Sequence, residues 1–136
     1  MKNKELIAQF QEELKGLNDE QRQAVETIEG PVLVVAGPGT GKTQILALRV
    51  GNILLNTDAQ PENILCLTYT EAGTIAMRRR LLKFIGPDAY RVPIHTFHGF
   101  CNSVIQQNAA YFSSYRELRQ ADDLEVRMLL KDVLDK

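Results

Sequence analysis

Apolar positions recur every three or four residues in the opening segment. Leu6, Ile7, Phe10 and Leu14 of KELIAQFQEEL share one helical face, and Gly16 ends the run. A second helix is predicted from Asn18, with Gln21 three positions on in capping-box register. Ala24, Val25 and Ile28 form its apolar side until Gly30-Pro31 breaks it. The pattern then changes. VLVVA (32–36) is wholly apolar, which predicts a strand buried on both faces, as in a parallel sheet covered by helices. Helical spacing returns from Thr43 to Leu55 through Ile45, Leu46, Leu48, Val50 and Ile53, and NTDAQPEN then reads as a turn. Ile64 to Tyr69 is a second apolar strand. The helix after it begins at Glu71, carries Ile75, Met77, Leu81, Leu82 and Phe84, and stops at Gly86-Pro87. Arg91 to His95 is predicted as a third strand and Gly99 to Gln107 as a further helix. Strands alternating with helices predict an α/β fold with a parallel sheet.

From Tyr111 onward there is no strand candidate. Leu124, Val126, Met128, Leu129, Val133 and Leu134 make an amphipathic helix capped by Asp122 or Asp123. The chain therefore divides into an α/β part over 1–110 and the start of a helical subdomain over 111–136.

Composition narrows the setting. The 136 residues suffice for one domain with a core, and 44% hydrophobic with 24% charged residues is ordinary for a soluble globular protein. A net charge of −1 does not point to nucleic acid or membrane, so any basic surface must be local. Cys66 and Cys101 lack CxxC spacing, and Cys66 in ILCLTYT reads as a buried reduced thiol. MKNKELIAQF has no apolar signal-peptide core and no run approaches a membrane span, which predicts a reducing cytoplasm and no membrane partner.

One stretch carries chemistry. AGPGTGKT (36–43) lies between the apolar run and the helix beginning near Lys42. Gly37, Gly39 and Gly41 let the backbone curl around an anion with its N–H groups inward, and the helix adds its positive dipole end. Lys42 sets a cation against the β and γ phosphates, and Thr43 offers a hydroxyl to Mg²⁺. Ala36 stands where the strict pattern has glycine; at the end of the strand a small side chain suffices there. Pro38 and Thr40 complete the loop. A lone GxGxxG would suit any strand-to-helix turn, but the lysine–threonine pair in this context predicts a nucleoside triphosphate site.

Hydrolysis by such a loop also needs an acidic residue at the end of another strand to hold Mg²⁺, and a group that orients water. Glu71 follows a strand candidate but opens a helix, and Asp132 and Asp135 fall in the helical tail. No residue qualifies, so the chain reads as the N-terminal piece of a longer motor, ahead of its acidic motif.

Three further stretches complete the pattern: LNDEQRQAV (17–25), LTYTEAGTIAMRRRL (67–81) and IHTFHGFC (94–101). In this order around AGPGTGKT they resemble the N-terminal motor domain of UvrD/Rep-type superfamily 1 DNA helicases, over nearly the whole chain. The resemblance implies a RecA-like P-loop sheet flanked by helices and an ATP-dependent DNA helicase or translocase with a place in DNA repair. It implies ATP and Mg²⁺ as cofactors, and single-stranded or partial duplex DNA and the remaining motor domains of the parent chain as partners. LNDEQ is similar to the family's Q motif, in which Gln21 would read adenine; capping of its own helix is the other role open to it. The second stretch resembles motif Ia, implying DNA contact by Thr68 and Tyr69. Glu71 and Ala72 replace its usual asparagine and lysine, which removes a cation. Tyr69 has two readings, a ring for a base to stack on and a core aromatic. Arg78, Arg79, Arg80 and Lys83 are open between phosphate contact and a solvated helix face. TFHG resembles motif Ib, implying backbone contacts by Thr96 and His98 with Phe97 packing or stacking beside them. Gln44 stands where this family often has arginine, and hydrogen-bonds without charge. The tail QADDLEVRMLLKDVL resembles the helical insertion that follows motif Ib.

The competing classes fare worse. An AAA+-like P-loop ATPase often carries GPPGTGKT, but LNDEQ and TFHG do not belong to it. A phosphotransfer kinase would need a lid after the loop, and a non-catalytic interaction module would not need the lysine–threonine pair.

Overall fold

The computed structural model describes residues 4–112 and 121–134; Asp135, expected in the tail, lies outside them. By contacts the chain divides into two compact units, 1–100 and 101–136.

In the first unit, α1 (Lys4–Lys15) and α2 (Asp19–Glu26) form where the spacing predicts them. Asn18 caps α2 with both halves of a capping box, its side chain accepting from the Gln21 N–H at 2.9 Å. The helix closes at Glu26, so Ile28 lies beyond it, half-buried. Helix α3 (Lys42–Asn56) packs on α2 and on α4 (Glu71–Ile85). Between α3 and α4 lie a short 3-10 turn, Pro61–Asn63, and the strand β1 (Cys66–Thr68). A second 3-10 turn, Gly86–Tyr90, leads to β2 (Ile94–Thr96), three residues later in its start than the predicted strand. The two strands pair in parallel with Cys66 opposite Ile94, Leu67 opposite His95 and Thr68 opposite Thr96. Parallel strands need a crossover, and α4 supplies it, packing on both.

The core is one cluster. Phe10 of α1, Val25 of α2, Leu48 of α3, Leu81, Phe84 and Ile85 of α4, and Val92 are each almost completely buried. Phe10 meets Phe84 edge to face with ring centroids 6.3 Å apart. It also fills the space above Gly51 of α3, where an added Cβ would stand 2.6 Å from a ring carbon. Arg49 and Asn52 fasten α3 to α2 through the carbonyls of Ala24 (2.6 Å) and Val25 (3.1 Å).

One predicted strand is absent. Residues 31–36 form no ladder, and among the described residues the sheet is β1 and β2 alone, so a full RecA-like sheet is not seen. The physical reason lies in pairing. Apolarity favours a strand, but its N–H and C=O groups form a ladder only against a neighbouring strand, and among the described residues no strand pairs with this segment. The exposure alternates, as it does along a one-sided strand. Val32 and Val34 are 40% and 47% exposed on the side facing α3, whereas Leu33 and Val35 are 90% and 91% exposed.

The helix α5 (Phe97–Gln107) begins at the end of β2. In the second unit α6 (Asp123–Leu134) starts on Asp122, whose carboxylate accepts from the N–H groups of Leu124 and Glu125, both at 2.9 Å. No helix among the described residues is long and apolar enough to cross a membrane.

Candidate functional site

The glycine loop takes the shape its sequence demands. Gly39 and Gly41 adopt the left-handed region, with φ of 77° and 78°. Thr40 Oγ1 donates to the Gly37 carbonyl at 2.8 Å, holding the turn between them. Gly41 is the N-cap of α3 and has no side chain with which to cap it, so the leading N–H groups of the helix need outside acceptors. Lys42 is the first residue of the helix. Its ammonium donates to the carbonyls of Gly37 (2.6 Å) and Ala36 (3.3 Å), lying across the loop. Pro38 is exposed, and Thr43, one residue beyond the lysine, is half-buried. A helix N-terminus, a glycine turn and a lysine meeting at one point fit a polyphosphate.

Beside the loop lies a cavity of about 560 Å³, within the range of small-ligand sites. The loop residues Gly39, Thr40 and Gly41 line one side with Gln21 and Gln44. Gln21 has the capping role the sequence allows, its Oε1 accepting from the Asn18 N–H at 3.2 Å. The same amide reaches the loop, donating from Nε2 to the Thr40 carbonyl at 3.4 Å. The other side of the cavity is α1, with Gln9, Glu12 and Glu13. Glu13 accepts from Gln44 Nε2 at 2.9 Å and pairs with Lys83. No sequence signal marks this carboxylate, which sits in a Glu-Glu pair on an amphipathic helix. Among the described residues no group of three or more His, Cys, Asp and Glu side chains is placed to hold a metal.

The other candidates gather elsewhere. Parallel pairing brings Thr68 and Thr96 to the same, carboxyl, end of the sheet, where α/β proteins present their binding residues. Tyr69 follows Thr68 and is 85% exposed, so it is not a core aromatic. Phe97, at 51%, and the exposed His98 follow Thr96. The threonines act on the backbone. Thr68 Oγ1 donates to the Thr70 carbonyl at 3.0 Å, and buried Thr96 accepts from the Gly99 N–H at 3.1 Å. Thr70 caps α4 by accepting from the Gly73 N–H at 3.0 Å. The basic run separates into different roles. Arg78 turns inward to the carbonyls of Val92 (2.7 Å) and Ala89, and Lys83 is engaged with Glu13, while Arg79 and Arg80 are exposed. Cys66 is half-buried, and burial pushes its thiol up against the opposing pull of Arg78, which leaves it poorly reactive.

A glycine turn with two left-handed residues, opening a helix on its lysine beside a βαβ unit, is the form of phosphate-binding-loop proteins. The particular family follows from comparison with known proteins: the chain belongs to the UvrD/REP helicase N-terminal domain family, which matches residues 17–136. Curated relatives include ATP-dependent DNA helicase PcrA of Staphylococcus epidermidis, 35% identical over 121 residues, and ATP-dependent DNA helicase PcrA of Staphylococcus aureus at the same identity and length. These alignments cover 89% of this chain and 17% of each relative, so the chain spans about a sixth of their length. The match excludes the AAA+-like alternative. It also leaves α1, residues 4–15, outside the family's matched span.

Proposed function

We propose that this chain is the ATP-gripping portion of an ATP-dependent DNA helicase or translocase, which couples ATP hydrolysis to movement on single-stranded DNA and to duplex unwinding. The observation that carries the reading is the turn at Gly39 and Gly41 opening α3 on Lys42. In this reading the β and γ phosphates take the leading N–H groups of α3, and the Lys42 ammonium exchanges the Gly37 and Ala36 carbonyls for phosphate oxygens. Ala36, Pro38 and Thr40 hold the loop's course around them. Thr43 would hold Mg²⁺, which when bound neutralises charge on the phosphates. Gln21 keeps its cap and offers the remaining hydrogen-bonding capacity of its amide to adenine, whose ring edge an amide complements.

The DNA lies, in this reading, along the carboxyl end of the sheet. Tyr69 and Phe97 give exposed ring faces on which bases stack, His98 reaches the backbone, and Thr68 and Thr96 shape the turns that present them. Residues 1–110 would belong to the motor domain and 111–136 to a helical insertion, with the remaining motor domains of the parent chain as partners. A cytoplasmic setting fits an activity on DNA.

The test has two arms on the 136-residue protein. Lys42→Ala should weaken ATP binding at least tenfold by calorimetry, about 1.4 kcal/mol. Tyr69→Ala should lower single-stranded DNA affinity by about 1–3 kcal/mol without altering ATP binding. Unchanged ATP affinity in the first variant would refute the nucleotide reading.

A further inference from the structure

Helix α1 lies outside the residues matched to the family, yet it lines the cavity beside the glycine loop. It is seated by Phe10, which is 1% exposed between Gly51 of α3 and Phe84 of α4. One turn further along, Glu13 faces the cavity's rim. Its carboxylate makes two bonds at once: Oε2 accepts from Gln44 Nε2 at 2.9 Å, and Oε1 pairs with Lys83 of α4. Gln44 directly follows Thr43 and lines the cavity beside Gly39 and Gly41.

We propose that Glu13, anchored by Lys83, is a positioning residue that fixes the Gln44 amide beside the phosphate loop, making α1 a working wall of the nucleotide site. The inference rests on the nucleotide reading above. Its chemistry is simple. With one Nε2 hydrogen committed to Glu13, the amide has a set orientation, leaving its carbonyl and its second N–H for a ligand or its metal-bound water. Lys83 offsets the Glu13 charge, which would otherwise oppose phosphates close by. Ordering Gln44 before the ligand arrives removes a side-chain entropy cost from binding.

The experiment measures ATP affinity by calorimetry for the native chain, Glu13→Ala, Glu13→Gln, Gln44→Ala, the Glu13→Ala/Gln44→Ala pair and Lys42→Ala, with a thermal melt of each. Glu13→Ala should weaken ATP binding about 3- to 10-fold, the scale of one hydrogen bond. Glu13→Gln retains an acceptor for Gln44 and should recover most of that loss. Gln44→Ala should match Glu13→Ala, and the double variant should be no worse than either, because both remove the same ordered amide. A merely structural Glu13 would lower the melting temperature without this non-additivity or this rescue. Multiplying effects, absence of rescue, or unchanged affinity in Glu13→Ala would each overturn the proposal. In those cases an impaired Lys42→Ala leaves the nucleotide reading standing, whereas an unimpaired Lys42→Ala removes both.

Discussion

Replacing Gly51 by alanine is the sharpest test of how α1 is held. Gly51 lies inside α3, where alanine is favoured over glycine by about 1 kcal/mol. Against that gain stands a clash. The new Cβ would lie 2.6, 3.2 and 3.3 Å from three carbons of the Phe10 ring. Carbon pairs rest at about 3.5–4.0 Å, so the nearest overlap is roughly 1 Å. The ring is fully enclosed and packed on Phe84, so it cannot swing into solvent. Overpacking of this kind costs about 1–3 kcal/mol, which leaves Gly51→Ala destabilising by about 1 kcal/mol net. In a Phe10→Leu background the ring carbons are gone and only the helix preference remains, so the same substitution should stabilise by up to about 1 kcal/mol. Urea unfolding of the four proteins reads both signs. If Gly51→Ala stabilises the native background as well, Phe10 is not seated on Gly51, and α1 is not docked as described.

Two other expectations are simpler to state. Gln21→Ala should narrow the difference between ATP and GTP affinity if the amide reads adenine; an unchanged difference with intact helicity by circular dichroism leaves Gln21 as cap alone. Arg91 bonds both oxygens of Glu62, at 2.7 and 3.1 Å, and those hydrogen bonds hold the Glu62 carboxyl below the usual carboxylate range. A folded-state value below the unfolded one stabilises above the unfolded value, and the contribution is lost as pH falls through the folded one. Thermal melts of Glu62→Gln and the native chain should therefore differ at neutral pH and converge in acid, and a gap that persists below the carboxylate range would contradict this. Because the pair is well exposed, the gap should be small.

Local signals were legible. The capping box at Asn18 and Gln21, the stop at Gly86 and the cap at Asp122 are written in adjacent residues and appear where expected. The shape of the glycine loop is legible for the same reason, since it is set by its own glycines. What depended on distant residues was not. VLVVA has strand chemistry but no ladder partner among the described residues, and apolarity alone does not name one. The run Arg78, Arg79, Arg80 and Lys83 is open in sequence between phosphate contact and a solvated face; the inward turn of Arg78 depends on the carbonyls of Ala89 and Val92, presented by a segment more than ten residues away. Glu13 is separated from Gln44 by 31 positions and from Lys83 by 70, so no spacing in the sequence could have joined them.

Binding and turnover should separate in this chain. The proposed phosphate cradle is local: a glycine turn, the first turn of α3 and Lys42 lie within eight residues. Phosphoryl transfer asks for more, namely a carboxylate to complete the Mg²⁺ shell, a group to orient water and arginines to stabilise the transferring charge. On the proposed reading Thr43 would be the one Mg²⁺ ligand the loop itself supplies, and the described residues hold no acidic cluster suited to a metal. Glu12 and Glu13 line the cavity, but Glu12 pairs with Lys15 at 3.1 Å and Glu13 is committed to Gln44 and Lys83. Preorganised charge at the transferring phosphoryl group supplies the largest part of the rate in such sites, with each missing donor costing about 10²–10³. The 136-residue protein should therefore bind ATP, show no DNA-stimulated hydrolysis and unwind no duplex. Any DNA binding should be weak and fall steeply with salt, since few exposed cations meet the backbone. A phosphate-release assay with and without single-stranded DNA decides the matter. DNA-stimulated turnover that Lys42→Ala abolishes would show that a carboxylate already present in this chain completes the site.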